Sequence, residues 1–303
     1  MMRKSILALL MVSAVAAMAG QSDRTQVNLN TDSDGNSNPQ LFIPIYWSEN
    51  FFSGVGYYRS STFETGDITG GSITDSSIST TVDQTNLRLN LLTYETASGA
   101  MTYAVGGEYE QIAINKHEFG YMEVSGTDIH ALKNDIEIDV SRLNLKADAT
   151  YKSGDFYARI GFGLSPQSSL SVDQTTTIKP LIPGEGTSSA TKAQAMAYDL
   201  SFKSGYSLHP MVNLIVQAMY DYLPMKYDLA VASGGSYAIE EQDVEQTTTM
   251  AMVSFAFNVD SFSKELSPNI GFGTRSITTT DNTNDAEETV SESLIILGFE
   301  GRF

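Results

Sequence analysis

The stretch Thr247–Val259, TTTMAMVSFAFNV, decides the fold. One parity carries Thr247, Thr249, Ala251, Val253, Phe255, Phe257 and Val259; the other carries Thr248, Met250, Met252, Ser254, Ala256 and Asn258. Successive side chains of a strand point to opposite faces, so this period of two reads as a β-strand with one apolar face. The same period recurs in Leu87-Leu89-Leu91, Met101-Tyr103-Val105-Gly107-Tyr109 and Phe156-Ala158-Ile160-Phe162-Leu164. It returns in Met196-Tyr198-Leu200-Phe202-Ser204-Tyr206, Val212-Leu214-Val216-Ala218-Tyr220-Tyr222 and Ile295-Leu297-Phe299-Gly301-Phe303. No helical period of similar strength competes.

These runs predict an all-β chain of about ten strands, roughly 51–62, 81–95, 101–115, 134–151, 155–165, 194–206, 211–226, 246–259, 268–279 and 289–303. Connections after even-numbered strands are short, as in Thr96–Gly99, Lys152–Gly154 and Ser207–Pro210, and the fourth runs from Asp260 to Ser267. Those after odd-numbered strands are long and rich in Gly, Ser, Thr and Asp. That alternation is the pattern of a transmembrane up-and-down antiparallel β-barrel, with short periplasmic turns and long extracellular loops. Tyr103 and Tyr109, like Tyr198 and Tyr206, mark the ends of apolar faces. Eight residues at a tilt near 40° span ~20 Å, close to the ~25 Å band that such barrels show to lipid. The strand over 134–151 changes phase, with Ile136, Ile138 and Val140 on one parity and Leu143, Leu145, Ala147, Ala149 and Tyr151 on the other. A β-bulge near Ser141-Arg142 reconciles them, or the upper half stands above the lipid.

The chain begins with Arg3 and Lys4, an apolar run Ile6–Ala17 broken only by Ser13, and Ala17-Met18-Ala19. This is the pattern of a cleaved signal peptide over 1–19. Residues 20–40 are polar and read as a flexible periplasmic leader, and 41–303 as one barrel domain. Without Arg3 and Lys4 the formal charge moves from −18 to −20, which excludes nucleic acid as a partner because phosphates demand a basic surface. The chain has no Cys, hence no disulfide framework and no thiolate metal site. No later stretch approaches the length of a membrane-spanning helix.

The chain end, Leu297-Gly298-Phe299-Glu300-Gly301-Arg302-Phe303, resembles the C-terminal assembly signal of bacterial outer-membrane proteins. Phe303 matches its terminal aromatic and Gly298 its glycine, with Phe299 on the same strand; Gly301 departs from the usual hydrophobic residue. The resemblance covers one strand and implies a Gram-negative outer-membrane location. It also implies the barrel assembly machinery, membrane lipid and lipopolysaccharide as partners.

On this register the lumen receives Arg88, Lys146, Arg159, Lys203, Arg275 and Arg302, with Glu108, Glu110, Asp148, Asp199, Asp221 and Glu300. Balanced numbers suggest pairing, either as a selectivity constriction or as a packed network filling a closed barrel. Acidic clusters at Glu240, Glu241, Asp243 and Glu245, and at Asp281, Asp285, Glu287 and Glu288, read as solvated loop charge, so no metal or cofactor is expected. Asp128-Ile129-His130 resembles the Asp-x-His pair of omptin proteases, but the second aspartate pair of that family has no counterpart. The expectation is therefore a non-enzymatic barrel: a narrow porin-like channel for small solutes or ions, or a structural, surface-interaction barrel. An outer-membrane hydrolase with an extracellular site is the alternative.

Overall fold

In the computed structural model the described residues are 25–32, 37–66, 73–124, 128–180, 182–233, 235–257, 266–283 and 286–301. They form thirteen strands. The first seven are β1 (Thr25–Asp32), β2 (Ser37–Tyr46), β3 (Phe51–Gly66), β4 (Ile73–Ser98), β5 (Met101–Val124), β6 (Asp128–Ser153) and β7 (Phe156–Lys179). There follow β8 (Gly186–Ala193), β9 (Ala197–His209), β10 (Val212–Ser233), β11 (Ser236–Phe257), β12 (Leu266–Asp281) and β13 (Ala286–Gly301).

Consecutive strands pair antiparallel except β8 and β9, and β1 pairs with β13. The lower part of β7 pairs with β9 and its upper part with β8. The ladder therefore returns on itself through twelve strands, and β8 and β9 are two pieces of one interrupted downward run. Two-residue turns at Gly99-Ala100 and Gly154-Asp155 close the periplasmic ends of two hairpins. Gly99 (φ 62) and Gly154 (φ 57) supply the left-handed conformation those turns need.

All ten predicted strands are present, but ten is too few. Two more lie where a leader was expected, since residues 25–32 are β1 and 37–46 are β2. The alternation in Gln26-Val27-Asn28-Leu29-Asn30 holds only two apolar residues, too short a run to read as a strand beside a polar neighbourhood. Residues 1–19, the expected signal peptide, and 302–303 fall outside the described residues.

Strand lengths correct the expected loops as well. Strands β4 to β7 run 24 to 26 residues, against 16 in β3, β12 and β13. Much of what read as long loop is continued sheet. From Gln111 to Val124 alone β5 climbs about 35 Å past the lipid, at ~3.3 Å per residue and a tilt near 40°.

Polarity then divides the molecule into two halves. In the lower half the outward face is apolar, with Val55, Leu87, Val105, Leu145, Ile160, Phe162, Leu200, Val253, Phe255, Phe272, Ile295 and Leu297 exposed. The inward face there is charged and buried. This is the surface that lipid requires, and the chain is an outer-membrane β-barrel. Aromatic rings edge the band. Near the periplasm Trp47 is 67% exposed and its Nε1 donates to Ser53 Oγ at 2.9 Å, while Phe51 packs on Tyr94 with ring centres 5.0 Å apart. At the other edge Tyr198 stacks on Tyr222 and Tyr220, at 5.1 and 6.0 Å.

In the upper half the faces exchange. Val82, Ile112, Ile114, Ile136, Ile138, Val140, Leu170, Val172, Leu223, Met225, Tyr227, Leu229 and Val244 form one buried inward cluster. Outward lie hydroxyls that pair across strands, such as Ser141 with Ser169 at 2.8 Å and Thr278 with Thr289 at 3.0 Å. The phase puzzle on β6 resolves in these terms. Ile136, Ile138, Val140, Arg142, Asn144 and Lys146 share one inward parity, with no bulge at Ser141-Arg142. The register shift sits instead beside Leu143 and Leu145, where β7 contributes the extra residue at Ser165-Pro166. What changes along β6 is the medium on either side of the wall.

Candidate functional site

The lower lumen holds a chain of ion pairs built by cross-strand register. Arg88, Glu110 and Arg142 stand side by side on β4, β5 and β6. Arg88 Nε donates to Glu110 Oε1 at 2.9 Å and Arg142 Nε to Glu110 Oε2. Asn86 Nδ2 adds a bond to Oε1 at 2.7 Å, so the fully buried carboxylate is surrounded by donors. Arg142 also faces Asp221 of β10, with Nη1 and Oδ1 3.9 Å apart. Charges this deep persist only when paired and hydrogen-bonded.

A second group lies nearer the periplasm. Lys146 Nζ stands 3.7 Å from Glu108 and 3.6 Å from Asp199. Arg159 pairs with Asp148, with Nε donating to Oδ1 at 3.2 Å and Nη2 standing 3.0 Å from Oδ2. Asn144 Nδ2 donates to Glu108 at 3.3 Å and to Glu110 Oε2 at 3.4 Å, tying the two groups together, and its Oδ1 accepts from Ser165 Oγ. Small residues make room for these reaches. Gly163 lies in register between Lys146 and Asp199, and a Cβ on it would meet Asp199 Oδ2 at 1.8 Å.

Hence Gly163→Val displaces the Asp199 carboxylate and frees Lys146 from one of its partners. Urea unfolding of the purified barrel in micelles is expected to show a loss of about 1–3 kcal/mol, the usual range for overpacking. Gly107→Ala is the control, because nothing lies within 4 Å of its added Cβ. Equal stability of the two variants would remove the glycine from the argument.

Of the twelve expected lumen residues, Arg88, Glu108, Glu110, Lys146, Asp148, Arg159, Asp199 and Asp221 come together as described. Lys203 shares the inward parity of Asp199 on β9, and Arg275 is buried on β12 beside Met250, away from the network's strands. The side chains of Glu300 and Arg302 lie outside the described residues, as do those of Phe299 and Phe303; Gly298 pairs in backbone with Asn28 and Asn269. Three charges were missed. Arg142 was set aside at the suspected bulge, although its parity with Lys146 marked it as inward. Lys116 and Glu118 form a buried pair at 2.7 Å inside the upper half, backed by Asn134 Nδ2 to Glu118 Oε2 at 2.6 Å.

The acidic clusters read as loop charge lie partly on strands. Glu240, Glu241, Asp243 and Glu245 belong to β11, with Lys192 on Glu241 at 2.6 Å and Lys226 on Asp243 at 2.7 Å. Asp128 and His130 begin β6, and their side chains are outside the described set. A different acid–base contact does exist on the exposed outer face: His117 Nδ1 and Asp135 Oδ1 are 2.9 Å apart, with Lys133 Nζ also on Asp135 at 2.5 Å.

No protein-family model matches the chain, and no curated protein matches it either. Solved structures do resemble it in fold. One is the translocator domain of the autotransporter NalP from Neisseria meningitidis, 12% identical with a TM-score of 0.48, covering 99% of this chain and 95% of that one. Another is the outer membrane protease OmpT from Escherichia coli, 11% identical with a TM-score of 0.49, covering 92% and 93%. A third is the toluene transporter TodX from Pseudomonas putida, 11% identical with a TM-score of 0.44, covering 98% and 93%.

Proposed function

We propose that the protein is a non-enzymatic barrel with a sealed lumen that carries a rigid β-sheet extension on the cell surface, where it serves structure and surface interaction. The packed apolar cluster across the upper lumen carries this reading. Ile136, Ile138, Leu170 and Val172 are each at most 2% exposed, and the polar side chains that share this inward face, among them Gln84, Lys116, Glu118 and Asn134, are buried with them, so the packed layer leaves no open path for a water column. The buried ion pairs beneath it form a second barrier. A porin needs polar walls throughout its path. Membrane lipid and lipopolysaccharide are the surroundings the two outer faces fit, and the barrel assembly machinery is the partner that its last strand suits.

In planar bilayers the purified barrel is therefore expected to be electrically silent at both low and high salt. Steady single-channel currents would overturn the sealed reading and return the porin-like one. Substituting both Asp128 and His130 with Ala is expected to leave peptide turnover by intact cells at background. Turnover above background that disappears in this variant would establish the hydrolase instead.

A further inference from the structure

One place in the wall of the upper half is closed by side chains instead of backbone. The downward run after β7 breaks at Gln194-Ala195-Met196, between β8 and β9. Below the break β9 pairs with β10 as far as Tyr198 and Tyr222. Above it, among the described residues, β10 pairs in backbone with β11 alone and β8 with β7 alone. Three side chains bridge the seam. Gln194 accepts from Lys226 N at 2.6 Å and donates to Lys226 O at 2.9 Å, and Ser188 Oγ donates to Asp228 O at 2.9 Å. Gln174 of β7 accepts from Ala230 N at 2.8 Å and donates to Ala230 O at 3.4 Å. A backbone donor left unpaired in a buried wall is costly, so the orientation of these amides decides whether the seam holds.

Gln174 does not set its own orientation. Its Nε2 also donates to Asn134 Oδ1 at 3.0 Å, Asn134 Nδ2 donates to Glu118 Oε2 at 2.6 Å, and Lys116 Nζ stands 2.7 Å from Glu118 Oε1. All four side chains are at most 5% exposed. An ionised carboxylate only accepts, whereas an amide has one donating and one accepting end. Glu118 therefore obliges Asn134 to turn its NH2 inward to the carboxylate and its oxygen toward Gln174. That oxygen in turn claims the NH2 of Gln174, which leaves Gln174 Oε1 for Ala230 N. The order is fixed from Lys116 on β5, through β6 and β7, to the backbone of β10.

This relay lies between two apolar clusters. On β6 Leu132 belongs to the upper cluster and Ile136 to the lower, with Asn134 between them; on β7 Ile178 and Val172 flank Thr176 and Gln174 in the same way. Apolar side chains at these positions would join the two clusters, and they often replace a buried ion pair at little net cost. Packing alone thus gives no reason for a lysine and a glutamate here, whereas a buried polar group can select one arrangement of a core.

The geometry points to the Lys116–Glu118 pair as an internal latch: through Asn134 and Gln174 it holds β10 against the β7–β8 side and keeps the seam of the extension closed. Glu118 and Asn134 are positioning residues that act on Ala230 through Gln174. The latch concerns closure of the wall above the membrane, so it stands or falls separately from the electrical silence of the lumen.

The test is amide hydrogen exchange by NMR on the full chain in micelles. In the wild type the side-chain amide protons of Asn134 and Gln174 are expected to be protected together with the backbone amide of Ala230. Unprotected side-chain amides beside a protected Ala230 overturn the proposal, whether or not any variant folds. Glu118→Gln leaves one oxygen for two donors, Lys116 and Asn134, and Asn134→Asp sets two carboxylates face to face. Either change is expected to speed exchange at Ala230 roughly fivefold or more, since one net hydrogen bond shifts a local opening equilibrium by about that factor. Ile114 and Ile138, in the same half but away from the seam, should change less. Combining the two substitutions is expected to return Ala230 to within about twofold of wild type. The amide at 118 then donates to the carboxylate at 134, which still accepts from Gln174, and its oxygen serves Lys116. Unchanged exchange at Ala230 in both single variants sinks the latch. Equal acceleration at Ala230, Ile114 and Ile138 means that the pair supports the core in general, and a double variant no better than the singles removes the relay of orientations.

Discussion

Glu110→Leu is expected to lower the stability of the purified barrel by about 3–5 kcal/mol, the cost of stranding buried charge by removing its partner. Glu110 is the hub of the network: it takes bonds from Arg88, Arg142 and Asn86 and is fully buried. Without it two guanidiniums sit side by side in the lumen wall, each with its other acidic neighbours too far away to replace the loss. Arg142 to Asp221, at 3.9 Å, is the nearest remaining pair. Glu110→Gln keeps the shape and the oxygen atom but not the charge, so it is expected to fall between wild type and Glu110→Leu. A combined Arg88→Met, Glu110→Leu and Arg142→Met chain should recover most of the loss, because apolar residues of similar volume often replace a buried ionic triad at little net cost. Urea titrations of the three variants in micelles check this order. Stability of Glu110→Leu equal to wild type would mean that the lumen is wetter than its burial indicates.

That network was largely legible from the sequence, because a barrel wall assigns faces by parity and parity survives errors in strand ends. Leu143 and Leu145 had to face lipid, so Lys146 and Asp148 had to face inward. The pairing partners were not legible, since they depend on register between strands. Which charge meets Glu110 is fixed by Arg88 and Arg142 lying in its row, and no single strand carries that information. The upper half failed differently. Ile112, Ile114, Ile136 and Ile138 alternate as clearly as any lipid-facing run, but on the opposite face. Of the two readings the sequence left for the phase change on β6, a bulge or an upper half standing above the lipid, the second is the one the sheet adopts. The break at Gln194–Met196 falls inside the run predicted as a strand over 194–206, where Met196 continues the apolar period, so nothing in the sequence marked it. Side-chain replacement of a backbone ladder has no sequence period to detect.

Replacing Ile114 and Ile138 together with Ala is expected to loosen the upper half while leaving the membrane band inserted. The two side chains face each other in register on β5 and β6, and both are almost wholly buried in the apolar cluster. Each truncation removes burial and leaves a void, at about 2–5 kcal/mol, and the pair will not add simply because the voids merge. The loss falls on one half only. Strands in the lipid band are held by a ladder with no free edge and by an outward face that lipid covers, and neither Ile touches that band. A protease added to intact cells should therefore cut the variant within the extension, around 112–140, while the heat-modifiable membrane-inserted form persists. Ser141→Ala is the contrasting change, since it removes one outward hydroxyl contact with Ser169 and should stay within about 0.5 kcal/mol of wild type. Conductance separates the two barriers of the lumen. If the apolar cluster alone seals it, the double variant gives intermittent currents; if the ion pairs around Glu110 seal it independently, the variant is cut by protease yet stays silent. Unchanged protease resistance would show that the upper half is not held together by this core.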